Sequence, residues 1–261
     1  MNYKLPHLGK RTEKPRSSGL TMVMDKGVGL SMAEMYLEST EDQIDIVKLG
    51  FGTSMVAKDL EKKIKLYQSR GIQVYPGGTL FEAFYARNKF KEFKKFLDKF
   101  GFDMAEVSDG SVMIPHEEKC ELIHELAKDR IVLSEVGSKQ EGFLISPAKW
   151  IKMMVNELEA GSWKVIAEAR ESGTVGIYRP NGQAHVILIN KILAKVKLEN
   201  ILWEAPKKDQ QVWFIQNMGS NVNLGNIGFE EVIPLECLRL GLRGDTFFTF
   251  LPDKIKEGLE P

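Results

Sequence analysis

Short β-rich runs alternate with helix-forming stretches from Leu20 onward, and this alternation limits the fold more than any other feature of the chain. The runs fall at 20–25, 44–49, 72–75, 103–107, 130–136, 163–169, 201–204 and 220–224. The stretches between them carry helix punctuation. Ser31 with Glu34 and Thr79 with Glu82 have capping-box spacing, Gly71 stands after a helical run, and Ser146-Pro147 reads as an N-cap followed by proline in the first turn. Eight strand–helix units in 261 residues predict one closed parallel (β/α)8 barrel, a TIM barrel, over residues 20–261 with an N-terminal extension at 1–19.

Charge and composition remove other classes. The chain has 36 Lys+Arg against 36 Asp+Glu, so it lacks the basic excess expected of a nucleic-acid or anionic-membrane partner. Residues 1–19 contain no apolar signal core, and the longest apolar stretches are broken by Asn190, Lys191 and Lys195, so a cytoplasmic protein is expected. Cys120 and Cys237 lie far apart in helical stretches and are expected to be buried free thiols. An aromatic series from Phe81 to Phe100 predicts helices packed on a barrel and leaves room for a homo-oligomer.

Active sites of such barrels form at the carboxyl ends of the strands. Here those ends are polar: Asp25-Lys26, Lys48, Glu106 and Asp109, Glu135 followed by Lys139, Glu168 and Arg170, Glu204, then Asn221 and Asn223. Strand parity places Val23 inward with Asp25, Ile46 with Lys48, Met104 with Glu106, Leu133 with Glu135 and Leu202 with Glu204. It fits Glu168 less well, because Lys164 would then also face inward. Six acids on one rim oppose one another's ionisation unless cations stand among them. Hard oxygen donors without a histidine or thiolate cluster favour Mg²⁺. Gly77-Gly78 is a weak phosphate signal, and Gly225 and Asn226 sit where barrels often hold phosphate.

The rim segments, taken in order, resemble the phosphosulfolactate synthase family. They are Asp25-Lys26-Gly27, Lys48-Leu49-Gly50-Phe51-Gly52-Thr53, Tyr75-Pro76-Gly77-Gly78-Thr79, Glu106-Val107-Ser108-Asp109-Gly110-Ser111, Glu135-Val136-Gly137, Glu168-Ala169-Arg170-Glu171-Ser172-Gly173, Trp203-Glu204-Ala205-Pro206, Asn221-Val222-Asn223-Leu224 and Arg243-Gly244-Asp245. The resemblance implies a (β/α)8 barrel and a Mg²⁺-dependent addition of sulfite to phosphoenolpyruvate, giving (2R)-3-phosphosulfolactate. In this family the product leads toward coenzyme M in methanogens or to sulfolactate in bacteria, and a plant branch is associated with heat stress.

Within that scheme Glu106, Glu135 and Glu168 are the expected Mg²⁺ ligands, with Asp25 and Asp109 in reserve. Lys139 is the expected general acid, while Lys48 and Arg170 would hold phosphate or sulfite. Lys26, Gly77, Gly78, Asn221, Asn223, Gly225 and Asn226 complete the expected anion-binding set, and Arg243 is placed equally well at the site or on the opposite face. Two other readings stay open: an aldolase-like barrel using Lys48 as a Schiff base, and a non-catalytic stress or scaffold protein on the same barrel.

Overall fold

Valine, isoleucine and leucine dominate the short runs because parallel strands of a barrel are buried on both faces. The computed structural model describes residues 2–137, 146–169 and 172–259. Its strands are β1 (Thr21–Asp25), β2 (Ile46–Leu49), β3 (Gln73–Pro76), β4 (Met104–Val107), β5 (Ile131–Val136), β6 (Lys164–Ala167), β7 (Ile201–Glu204) and β8 (Leu224–Ile227). They form one eight-stranded sheet in the order β3-β2-β1-β8-β7-β6-β5-β4, and β3 lies against β4 to bring the sheet edges together. The paired neighbours among these strands all run parallel. The chain is a single (β/α)8 barrel.

The helices follow the strands: α1 (Leu30–Thr40), α2 (Thr53–Val56), α3 (Leu60–Ser69), α4 (Gly78–Tyr85), α5 (Phe90–Phe100), α6 (His116–Ala127), α7 (Pro147–Glu159), α8 (Val186–Leu193), α9 (Lys208–Met218), α10 (Val232–Leu240) and α11 (Asp253–Lys256). Ser146 caps α7 by accepting from the Lys149 N–H, with Pro147 in the first turn. The other two caps differ from expectation. Gly29 and Gly77 are the N-cap residues of α1 and α4, and neither start has a side-chain cap. Glu82 instead accepts from Ser108 Oγ and the Gly110 and Ser111 N–H groups, clamping the loop after β4. Local spacing alone could not anticipate a tertiary partner 26 residues away.

Side-chain parity separates two cores. Leu20, Met22, Ile46, Tyr75, Met104, Leu133, Ile166 and Leu202 fill the barrel interior. Val23, Val47, Val74, Ala105, Val132, Val165, Ile201 and Leu224 face the helices. The expected parity of β1 is therefore reversed: Met22 and Met24 face inward, while Val23 and Asp25 face the helical layer. Lys164 does point inward, in step with Ile166 and Glu168, because its ammonium donates to the Glu199 carbonyl at 2.6 Å. The aromatic series is core packing. Phe81 and Phe93 are fully buried and their rings meet edge-on. Cys120 and Cys237 are free thiols, half-buried rather than buried.

The N-terminal segment closes the amino end of the barrel. The Arg11 guanidinium binds Glu236, the Ser220 carbonyl and Asn221, and Arg16 pairs with Asp45 at 2.9 Å. Asn221 and Asn223 belong to this end as well. The eighth strand begins at Leu224, so both asparagines precede it rather than end it, which corrects their expected place at the mouth. Asn223 Oδ1 accepts from the Leu20 N–H, and its amide donates to the Glu199 and Ile201 carbonyls.

Candidate active site

The inward parity of β2, β4, β5, β6 and β7 brings Lys48, Glu106, Glu135, Glu168 and Glu204 to the carboxyl end of the barrel. All five are nearly fully buried and line one cavity of about 530 Å³. Such a volume lies within the range of roughly 300–1,000 Å³ common for small-molecule sites. Met24, Phe51, Thr79, Ser111 and Asn226 complete much of the wall.

Lys48 is the centre of the cluster. Its Nζ lies 2.9 Å from Glu106, 3.4 Å from Glu135 and 3.6 Å from Glu204. Burial works against the ammonium, but the Glu106 and Glu135 carboxylates outweigh it and hold the lysine pKa well above its ordinary value. An ammonium set among three carboxylates is a poor Schiff-base nucleophile, which counts against the aldolase-like reading. Beside it on β3 stands Tyr75, which pairs with Lys48 in the β2–β3 register. Burial and the neighbouring Glu106 push its phenol up.

The carboxylates are oriented from outside. The Gly78 N–H donates to Glu106 Oε1 at 2.8 Å. A Cβ at Gly78 would run into both Ser108 Oγ and Glu106 Oε1, so glycine is needed for that approach. Glu204 Oε2 accepts from the Ala169 N–H at 2.9 Å. Burial raises its pKa to about 7 in spite of Lys48. Gly137 leaves the space occupied by the Glu168 side chain, which a Cβ would meet. Asn226 reaches the wall through a bulge. From Thr21 to Val23 the β1–β8 register advances from Leu224 to Ile227, and Asn226 absorbs the extra residue at φ 59°.

Several expected residues do not line this cavity. Asp25 faces the helices, where it accepts from the Gly27 and Val28 N–H groups and the Tyr67 hydroxyl and pairs with Lys63 at 2.8 Å. Asp109 pairs with the buried Lys119 at 3.0 Å behind β4 and β5. Lys26 is exposed on the turn after β1, and Gly225 is inside β8, its missing side chain making room for Met22. Gly77 contributes its carbonyl to the first turn of α4. Arg243 precedes a short 3-10 turn that packs on α9 and α10, in the outer layer. Lys139 and Arg170 lie outside the described residues. Sequence pattern gives no role to Glu204, Tyr75 or Phe51, although parity with Leu202 places Glu204 inward.

Fit to Mg²⁺ can be judged from the donors. Among the described residues no group of three or more His, Cys, Asp or Glu forms a ready metal cage. Mg²⁺ is commonly held by only one or two carboxylates, with substrate oxygens and water completing its octahedron. Glu135 and Glu168 suit that role, since both are oxygen donors at the carboxyl ends of neighbouring strands and both face the cavity. Glu135 also faces Lys48 at 3.4 Å; what distinguishes Glu106 and Glu204 is that each in addition accepts from a backbone N–H, Gly78 and Ala169 respectively.

A family model described as (2R)-phospho-3-sulfolactate synthase matches residues 9–245. Phosphosulfolactate synthase of Bacillus subtilis (strain 168) is 41% identical over 251 residues, covering 95% of this chain and 100% of its own. The enzyme of that name from Methanocaldococcus jannaschii is 46% identical over 236 residues, covering 88% and 94% respectively. Among solved structures, 3-hexulose-6-phosphate synthase from Salmonella typhimurium superposes with a TM-score of 0.56 at 13% identity, over 86% of this chain and 100% of that one, a likeness of fold alone. The sequence matches run through the strands that carry Lys48, Glu106, Glu135, Glu168 and Glu204, and the chain therefore belongs to the phosphosulfolactate synthase family of lyase-type addition enzymes.

Proposed function

We propose that this enzyme adds sulfite to phosphoenolpyruvate in the cytoplasm, with Mg²⁺, to give (2R)-phospho-3-sulfolactate. The observation that carries the reading is the Lys48 ammonium set among Glu106, Glu135 and Glu204 on one wall of a 530 Å³ cavity that Glu168 also lines. In the reaction the sulfur lone pair forms a bond to C3, and the alkene pair moves to C2 and into the carboxylate. A proton then adds at C2.

Glu135 and Glu168 would hold Mg²⁺, which supplies electrostatic stabilisation to the substrate carboxylate as negative charge builds there. Lys48 keeps three acids in place and lends the cavity a fixed positive charge. Arg170 is assigned to anion binding and Lys139 to proton delivery at C2. Both anions must be freed of water and held together, and burial of the cavity wall favours this by strengthening each charge contact.

The test is direct. Purified protein with phosphoenolpyruvate, sulfite and Mg²⁺ should yield phosphosulfolactate by phosphorus NMR, and chelation should stop it. Glu135→Gln and Glu168→Gln should each weaken Mn²⁺ binding, read by the paramagnetic signal of the free ion, while the far-UV spectrum stays unchanged. No product with any divalent ion would overturn the reading.

A further inference from the structure

The carbonyl of Glu135 is held by a lysine on the far side of the strand. Within β5 the Ile131 N–H donates to Asp103 on the β4 side, whereas the Val132 and Val136 carbonyls accept from Trp163 and Glu168 on the β6 side. Odd-numbered residues of β5 thus bond toward β4 and even-numbered ones toward β6. The Glu135 carbonyl faces β4, but β4 ends at Val107, paired with Ser134. Where the next rung would need a backbone donor from Asp109, Lys119 of α6 supplies its ammonium at 2.7 Å.

The same ammonium reaches Asp109 Oδ1 at 3.0 Å and Glu157 Oε1 of α7 at 2.9 Å. An ammonium has three N–H bonds, and here three acceptors surround it. Lys119 and Glu157 are completely buried. One side chain thereby ties together the end of β5, the loop after β4 and helix α7. Glu82 grips the other side of that loop through Ser108, Gly110 and Ser111.

We propose that Lys119 is a positioning residue for the active site: it replaces the missing β4–β5 rung and so fixes the backbone from which Glu135 enters the cavity. Lys119 does not line the cavity and touches no substrate. Its effect on turnover passes through Glu135 and the loop at Asp109. The inference concerns the same site as the proposed reaction and uses that reaction for one of its two readouts.

The experiment compares two variants in the full chain. Glu157→Gln keeps Lys119 on Glu135 and Asp109, and should leave kcat and KM within twofold of the parent. Lys119→Met combined with Glu157→Gln removes the grip without stranding a buried carboxylate at 157, and should lower kcat tenfold or more. In hydrogen exchange the double variant should speed up only at 107–111 and 134–137, because the rest of the barrel keeps its bonds. An unchanged kcat with unchanged local exchange, or an equal loss in Glu157→Gln, overturns the proposal. If the double variant does not fold, Asp109→Asn is measured instead; it should lower kcat several-fold and speed exchange at 107–111, and no change in either overturns the proposal. If the parent forms no phosphosulfolactate, the reaction assignment fails while the exchange comparison still decides the role of Lys119.

Discussion

Lys48 Nζ and Glu106 Oε2 lie 2.9 Å apart inside the barrel, both shielded from solvent. The lysine is also the shared counter-ion of Glu135 and Glu204, so its removal strands more than one acid. Lys48→Met should eliminate measurable turnover. It should also destabilise the protein by about 3–5 kcal/mol at neutral pH, the usual consequence of breaking a buried pair from one side. Loss of the ammonium moves the folded-state pKa values of these carboxylates upward. The stability deficit should then shrink as pH falls and the acids take up protons. Thermal unfolding of the variant at pH 8 and pH 5.5 checks this; a deficit independent of pH would show that the acids are compensated by something else.

Glu204 gives the parent a pH dependence of its own. Its folded-state pKa is about 7, raised chiefly by burial, against an ordinary value of 4.5. Between those values the folded state binds more protons than the unfolded state, so stability falls as pH rises from about 4.5 to about 7. The size is on the order of 3 kcal/mol across the window. Glu204→Gln can still accept from the Ala169 N–H but carries no charge, so its melting temperature should vary less over this range. Parallel pH profiles of the two proteins would expose a wrong assignment.

Gly78 tests the seating of Glu106. Alanine there would force its Cβ against Ser108 and Glu106, with the overpacking costing about 1–3 kcal/mol. The backbone conformation of residue 78 is helical and tolerates alanine, so the fold should persist. Displacing Glu106 should reduce kcat tenfold or more while the melting temperature falls by only several degrees. Full activity in Gly78→Ala would mean that Glu106 can shift without consequence.

The barrel was legible because each run of apolar residues repeats one local rule, burial on both faces followed by a polar residue at the strand end. Parity found the inward set Lys48, Glu106, Glu135 and Glu204, and failed at Asp25 because a single step of register exchanges core and helix faces. Asp25 is satisfied by Lys63 and Tyr67 of α3, contacts that no spacing rule near residue 25 reveals. The last strand was misplaced for a related reason. Gly225 and the left-handed Asn226 read as loop residues, yet the glycine admits Met22 to the interior and the asparagine forms a bulge. Glu82 had the spacing of a cap but serves a loop instead, since its carboxylate meets three donors there.

Asn221 provides the sharpest contrast between a residue at the mouth and one at the opposite end. Its Oδ1 accepts from Arg11 at 2.7 Å and from the Thr12 N–H at 3.1 Å, and its amide donates to the Lys10 carbonyl at 2.9 Å. These bonds fasten the N-terminal segment across the amino end of the barrel, away from Lys48 and its acids. Asn221→Ala should leave the Arg11 guanidinium and the Thr12 N–H without this acceptor and lower stability by about 1–3 kcal/mol. It should leave kcat and KM within twofold of the parent, because no cavity residue loses a partner. Steady-state kinetics beside a urea melt separate the two effects, and a raised KM for phosphoenolpyruvate with an unchanged melt would return Asn221 to the substrate site.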